Sequence, residues 1–288
     1  MLKTQNPLLE SAIQKIFNEV LTSGKYPELW NIGSITSIFK SGDIYDPNNF
    51  RGITITSSLG KLFNRILNKR LENYREINSQ GCVEQNAYKK NCRTTDHMFV
   101  LKTIIDKYNK KNKPIYACFI DMKKAFDSVL HQAILYKLLK SGVKGQLYNI
   151  IKDMYENTRL AVKVGSDCRT EFFPSHIGIR QGDNLSPNLF KILLDDLPDN
   201  LNQTECNPIE INNRKLNCLL YADDIVLLSE SPNGLQKAID LTELYGSELG
   251  LEINIKKTKS MVFSKKGNIS KHKFTIKMNN LEEVKTYL

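Results

Sequence analysis

The chain has 288 residues, 41% hydrophobic and 25% charged, the make-up of a globular protein with core enough for one large domain or two modest ones. No apolar run approaches the ~20 residues of a membrane span, so no membrane partner is expected, and the opening MLKTQNPLLESAIQKIFNEV threads charge through its apolar residues, unlike a signal-peptide core. The formal charge of +10 is lopsided: residues 1–114 carry 18 Lys and Arg against 10 Asp and Glu, the remainder 23 against 21, which points to a polyanion on the N-terminal part or, more blandly, to surface lysine.

Residues 7–23 have the pattern of an amphipathic helix closed by Gly24. A second helix is expected over 58–76, with Leu62, Phe63, Ile66, Leu67 and Leu71 apolar and basic residues between them, and a third over 94–110. After the turn KNKP, IYACFID forms an apolar strand that ends in Asp121. Helices are expected at 129–141 and 145–157, then strands near 159–165 and 170–177. SPNLFKILLDDL predicts a helix with Ser186 as N-cap and Pro187 in the first position. The stretch LNCLLYADDIVLLSE predicts a hairpin, followed by a helix at 233–249 and strands near 251–263 and 273–279. Helices and strands alternate irregularly, and strands are joined by both helices and hairpins, which favours an α+β fold. The six cysteines, at 82, 92, 118, 168, 206 and 218, are spaced too irregularly for a zinc ribbon or a disulfide framework and are expected to be reduced core residues of an intracellular protein.

The chemistry is carried by two acidic interruptions of apolar strands. In LNCLLYADDIVLLSE, Asp223 and Asp224 stand at a hairpin tip, and on this stretch alone a solvated turn explains them better than a site does. In YACFIDMKKAFDSV, Asp121 closes a buried-type strand, where it could equally be a strand-end cap. If the two strands are neighbours, the three carboxylates converge although Asp121 and Asp223 are 102 residues apart. Convergent carboxylates form a hard-oxygen site suited to Mg²⁺ or Mn²⁺, and two such ions held ~3.5–4 Å apart serve nucleotidyl transfer.

FIDMKKAFDSV, GIRQGDNLSPNLF, YADD and GLEINIKKTK, in this order, resemble the successive motifs of reverse transcriptases, most closely those of non-LTR (LINE-type) retrotransposons. The upstream IFKSGDIYDPNNFRGITITSSLGKLFNRIL is similar to that family's fingers, and the resemblance covers roughly residues 7–288. It implies a right-hand polymerase fold with an antiparallel palm sheet flanked by helices. Fingers are expected at about 1–96 and 129–180 and palm at about 97–128 and 181–288. It further implies RNA-directed DNA polymerase activity, with an RNA template, a DNA primer and dNTPs as partners and two Mg²⁺ or Mn²⁺ ions as cofactors.

Carried over residue by residue, Asp121 and Asp223 match the family's principal metal-binding aspartates, and Asp224 completes the acidic tip. Strand alternation denies Asp223 and Asp224 identical roles. Phe126 stands where the family places an aromatic beneath the incoming sugar, a ring that would clash with a ribose 2′-hydroxyl; without that context a plain core phenylalanine explains it equally well. Gln181 and Gly182 match the pair lying against the incoming nucleotide and template base, while Arg180 beside them is as easily a solvated charge. Lys40 and Arg51 match the residues that grip the triphosphate, and Lys257 aligns with a lysine near the pyrophosphate, a candidate proton donor, with Lys256 and Lys259 close by.

Two departures stand out. Where the family usually has Gln-x-Gly-Phe-Arg, this chain has Gln85-Asn-Ala-Tyr-Lys. It also stops at VKTYL, where the family's primer-gripping hairpin begins, so the thumb and any endonuclease are expected to be absent from it. Among competing readings, a P-loop is rejected because SLGKL lacks the upstream Gly and the following Ser or Thr. Phe126 argues against an RNA-dependent RNA polymerase. A truncated relic that binds nucleic acid without useful polymerisation is opposed by the filled catalytic positions.

Overall fold

The computed structural model describes residues 6–165, 168–211, 213–265 and 272–285. Helix α1 (Pro7–Ser23) begins where the Asn6 side chain accepts hydrogen bonds from the amides of Leu8 and Leu9, and it ends at Gly24, whose left-handed φ of 71° closes the last turn. A single turn, α2 (Glu28–Asn31), leads into the hairpin of β1 (Ile32–Phe39) and β2 (Phe50–Thr56). Then come α3 (Ser58–Ile77), α4 (Thr94–Lys110), β3 (Ile115–Ile120), β4 (Met122–Lys123) and the one-turn α5 (Ala125–Ser128). Next are α6 (His131–Lys140), α7 (Gly145–Glu156), β5 (Arg159–Val164), β6 (Cys168–Arg169) and β7 (Phe173–Pro174). They are followed by α8 (Ser186–Leu194), α9 (Leu197–Gln203), β8 (Ile209–Ile211), β9 (Arg214–Leu216), β10 (Cys218–Tyr221) and β11 (Asp224–Ser229). The chain continues through α10 (Pro232–Glu248), β12 (Glu252–Ile253), β13 (Lys259–Phe263), β14 (Thr275–Ile276), β15 (Asn279–Asn280) and β16 (Glu282–Glu283).

The chain divides into two compact units. The first comprises residues up to Gln80 together with Leu130–Leu189. Its sheet runs β2-β1-β5-β6, with β1 antiparallel to β2 and parallel to β5. Its core includes a knot of rings in which Phe17, Tyr26, Trp30 and Phe63 meet at centroid distances of 5.1–6.2 Å, mostly edge-on or tilted.

The second unit comprises Gly81–Val129 and Phe190–Leu288. Its sheet runs β10-β11-β3-β13-β16, antiparallel except between β13 and β16. Ile104 and Tyr108 of α4 pack with Ile115 and Ala117 of β3, Leu219 of β10 and Leu228 of β11. Helix α10 packs on β3 and β11 as well. With both faces covered, β3 is buried at every residue but the half-buried Phe119, which is why it reads as an unbroken apolar run rather than an alternating one.

The fold is α+β, and the long periodic helices fall where the pattern places them; the strands are shorter than expected. The strand expected over 170–177 is only Phe173–Pro174, since Pro174 has no amide hydrogen to donate to the ladder, and 251–263 splits into β12 and β13 around a turn at 254–258. Residues 273–279 form the rising half of a tight hairpin rather than one strand. The expected helix over 129–141 starts later, at His131, after α5 has ended, and the one expected from Ser186 breaks at Leu194 before α9. Ser186 takes the first helical position, and its hydroxyl donates to the Arg180 carbonyl at 2.8 Å, satisfying a buried acceptor instead of capping the helix. The residues 284–288, where the primer-gripping hairpin was expected to begin, run into 286–288, which lie outside the described residues.

Candidate active site

The register of the second unit's sheet brings its acids together. Strands β3 and β11 are antiparallel neighbours with Ile120 opposite Ile225, and one step beyond this pair stand Asp121 on one strand and Asp224 on the other. Strand β10 returns to β11 with Tyr221 opposite Asp224, so the connecting loop is just Ala222 and Asp223. Asp223 thus occupies a turn and Asp224 the first position of a strand, so strand alternation does not govern the pair; Asp223 is half-buried and Asp224 exposed.

Partial desolvation first, then the charges of Asp223 and Asp121, hold the Asp224 carboxyl above the usual carboxylate range. The same negative charge reaches the half-exposed Tyr88, whose phenol is raised by desolvation and by Asp223. The expected three-carboxylate ligand set is not a closed cage. Among the described residues no group of three or more His, Cys, Asp or Glu side chains is gathered closely enough to hold a metal ion. Like charges repel, and a turn, a strand start and a strand end present their carboxylates from three different backbone settings. Hard oxygens of one sign at the end of adjacent strands, with the Asp224 carboxyl raised by its acidic neighbours, nevertheless match the chemistry a divalent cation relieves.

Neighbouring side chains hold this acidic end from both sides. Asn254 donates from its side-chain amide to Asp121 Oδ2 at 3.0 Å and from its backbone to the Asp121 carbonyl at 2.8 Å, while the buried Thr258 hydroxyl accepts from the Asp121 amide at 3.2 Å. Gln85 holds the other strand through both polar groups of Ala222. Sequence reading singled out neither as a site residue. The only signal for Asn254 and Thr258 is their place in GLEINIKKTK, and Gln85 showed itself only as the first residue of a departing motif.

Phe126, on α5, is half-buried and stacks on the fully buried Phe190, with centroids 4.8 Å apart and planes 9° off parallel, so its ring is fixed in orientation. Lys257 is exposed in the turn between β12 and β13, its backbone amide donating to the Asn254 carbonyl at 3.1 Å. Lys259 is engaged elsewhere, bonded to Glu282 at 2.6 Å and to the Lys256 carbonyl at 2.7 Å, which leaves Lys257 and the exposed Lys256 as the better candidates for a mobile proton donor.

Residues 38–282 match the family described as reverse transcriptase (RNA-dependent DNA polymerase). The chain belongs to the reverse transcriptase family. It is 31% identical over 249 residues to the Retrovirus-related Pol polyprotein from type-1 retrotransposable element R2 of Popillia japonica, covering 86% of this chain and 34% of that protein. It is 27% identical over 257 residues to the RNA-directed DNA polymerase from mobile element jockey of Drosophila melanogaster, covering 86% and 27%. The chain therefore spans about a third of the one relative and about a quarter of the other. Among solved structures, apo telomerase from Candida tropicalis truncated from its C-terminal domain matches with a TM-score of 0.61 at 16% identity, over 87% of this chain and 53% of that one, a likeness of fold. The right-hand fold expected from the motifs is thus the fold of a reverse transcriptase.

The remaining residues singled out by the reverse transcriptase motifs lie in the first unit. Lys40 and Arg51 are exposed at the same end of the β1–β2 hairpin: Arg51 pairs with Ile38, and the Lys40 amide donates to the Asn49 carbonyl at 2.9 Å. The Gln181 carbonyl accepts from the Thr54 amide at 2.9 Å, docking the loop on β2. Gly182 has φ 101°, and a Cβ there would lie 3.4 Å from both Ile53 Cγ2 and the Thr54 carbonyl, so glycine is required by backbone conformation alone. Arg180 is not a solvated charge. It is 4% exposed, and its Nη2 donates to Thr158 Oγ1 at 2.7 Å, Asn31 Oδ1 at 3.0 Å and the Met154 carbonyl at 3.2 Å. Nearby, buried Asp183 accepts from Asn64 Nδ2 at 2.6 Å and from the Leu185 amide at 2.9 Å. Among the described residues no helix is long and apolar enough to cross a membrane.

Proposed function

We propose that this chain is the polymerase part of a non-LTR retrotransposon protein, extending a DNA primer with dNTPs on an RNA template. The observation that carries the reading is the meeting of Asp121, Asp223 and Asp224 at one end of adjacent strands, with Asp224 electrostatically coupled to the other two. Asp121 and Asp223, with Asp224 beside them, would hold Mg²⁺ or Mn²⁺, whose chemistry, two ions at a time, is to activate the primer 3′-hydroxyl and offset charge on the leaving pyrophosphate.

The chain's own residues supply the rest. Phe126, locked by Phe190, presents a ring edge that cannot move aside for a 2′-hydroxyl and so admits the deoxyribose. Lys257 donates a proton to the departing pyrophosphate. Arg51 offers two parallel donors and Lys40 a compact charge to the triphosphate, and Gln181 and Gly182 form the backbone platform for nucleotide and template base. The fingers role falls to the first unit and the palm role to the second.

Primer extension on an RNA template with Mg²⁺, comparing dNTPs with NTPs, tests this reading. Extension that requires dNTPs and vanishes in Asp223→Ala is the expected result. Binding of primer–template with no Asp223-dependent extension leaves a nucleic-acid-binding module, and efficient NTP use makes it an RNA polymerase. Phe126→Val is expected to admit NTPs, and continued exclusion of NTPs by that variant removes Phe126 from the selecting role.

A further inference from the structure

Gln85 is 1% exposed and lies on a short segment that runs beside β10. The Leu220 amide donates to the Glu84 carbonyl at 2.9 Å, and the Asn86 amide donates to the Leu220 carbonyl at 3.0 Å. This pairing threads the Gln85 side chain toward the acidic turn. There its Oε1 accepts from the Ala222 amide and from the Ala87 amide, each at 3.0 Å, and its Nε2 donates to the Ala222 carbonyl at 3.3 Å. One side chain thus satisfies both polar backbone groups of the residue preceding Asp223.

Ala222 needs such a hold. Its φ is 55°, in the left-handed region that residues with a Cβ avoid, and it sits at the first central position of a two-residue hairpin loop, where Gly, Asn or Asp is the usual occupant. Alanine has neither glycine's freedom nor a side chain able to bond its own backbone. A turn of this shape therefore depends on bonds from elsewhere, and they come from a residue 137 positions away. Its conformation in turn sets where the next residue, Asp223, points.

We propose that Gln85 is a positioning residue that holds the Ala222 peptide so that the Asp223 carboxylate faces the divalent cation; the assignment rests on the reading of Asp223 as a metal-binding residue. A Gln that merely satisfies itself in the core would leave metal affinity alone when replaced. The departing motif Gln85-Asn-Ala-Tyr-Lys is then less a template contact than a backbone clamp on the YADD turn, with Ala87 as its second anchor.

The test uses the full chain and three measurements: Mn²⁺ binding by electron paramagnetic resonance, primer extension on RNA, and hydrogen exchange at the Ala222 amide. Gln85→Met, similar in volume and without hydrogen bonds, is expected to speed exchange at Ala222 and to weaken Mn²⁺ binding and slow extension by roughly 10- to 100-fold, with primer–template affinity kept. Gln85→Glu keeps the acceptor for both amides and exchanges the amide donor for a carboxyl oxygen, so it is expected to retain Ala222 protection and to lose less Mn²⁺ affinity than Gln85→Met; it also serves if the Met variant does not fold. Unchanged Mn²⁺ affinity in both variants, or unchanged exchange at Ala222 in Gln85→Met, overturns the proposal. If the wild-type chain binds Mn²⁺ through Asp223 yet extends no primer, the polymerase reading fails and Gln85 is still judged on Mn²⁺ affinity. If Asp223→Ala leaves Mn²⁺ binding untouched, the metal site fails and the role of Gln85 fails with it.

Discussion

Each unit contains a concentrated polar cluster, and the two are built on opposite plans. Around Arg180 and Asp183 in the first unit, both signs of charge are buried together with Asn31, Asn64, Thr158 and Tyr26, and the groups bond mainly to one another. At the end of β3 and β11 in the second, three carboxylates stand at neighbouring strand ends and the turn between strands, and Asn254 and Gln85, which bond Asp121 and the Ala222 backbone, are neutral. Removing one member of a buried cluster of both signs leaves its partners uncompensated, whereas removing one of several like charges relieves repulsion. On the proposed function, the difference separates a structural network from a site, even though both lie in sequence motifs of the same family.

Substitutions can break this contrast, and the largest effect is expected at Asp223. If Asp223 binds the metal as proposed, Asp223→Ala should lower primer extension by roughly 1,000-fold or more, since loss of such a carboxylate removes several kcal/mol of transition-state stabilisation. The same variant should melt no lower than the wild type, because one of three repelling charges has gone. Arg180→Met should do the reverse in kind: a loss of about 3 kcal/mol in chemical denaturation, from acceptors left buried without a donor, with a rate per folded molecule that changes far less.

A smaller effect is expected within the second unit, where a neutral residue holds a charged one. Asn254→Ala should slow extension by roughly tenfold through misplacement of Asp121, and Asn254→Asp, by adding a fourth negative charge, should be worse than Ala. A rate for Asn254→Ala equal to wild type would show that the strand end alone positions Asp121.

The smallest expected effect is a pH dependence confined to the first unit. Burial lowers the pKa of His131 against the raising effect of the hydrogen bond its Nε2 makes to the Gly178 carbonyl at 2.8 Å, and Arg180 and His176 lower it further. The folded chain therefore takes up this proton less readily than the unfolded chain. Stability is full above the ordinary histidine range and falls as pH drops through it. Denaturation of His131→Gln on both sides of that range should show the slope reduced.

Much of the site was legible because its acids interrupt apolar strands. Asp121, Asp223 and Asp224 announce themselves against IYACFI and IVLL, where a polar residue needs a reason, and order along the chain made the family recognisable. The long helices α1, α3, α4 and α10 were legible for a related reason, since a buried face repeated at helical spacing survives in the sequence whatever it packs against. The short strands were not, because pairs of residues such as β12 and β4 are held by partners 129 and 131 positions away, and two residues carry no periodicity.

The chain's own order of residues thus determined the helices, the apolar strands, the sign of the charge at their ends and membership of the family. Tertiary structure alone decided that Asp223 belongs to a turn and Asp224 to a strand, that Arg180 is buried, that Lys259 is engaged by Glu282, and that Gln85 and Asn254 grip the acidic end from 137 and 133 positions away. The physical reason is range: propensity and periodicity act between near neighbours, while a hydrogen bond is specific to a geometry that exists only once distant segments have packed.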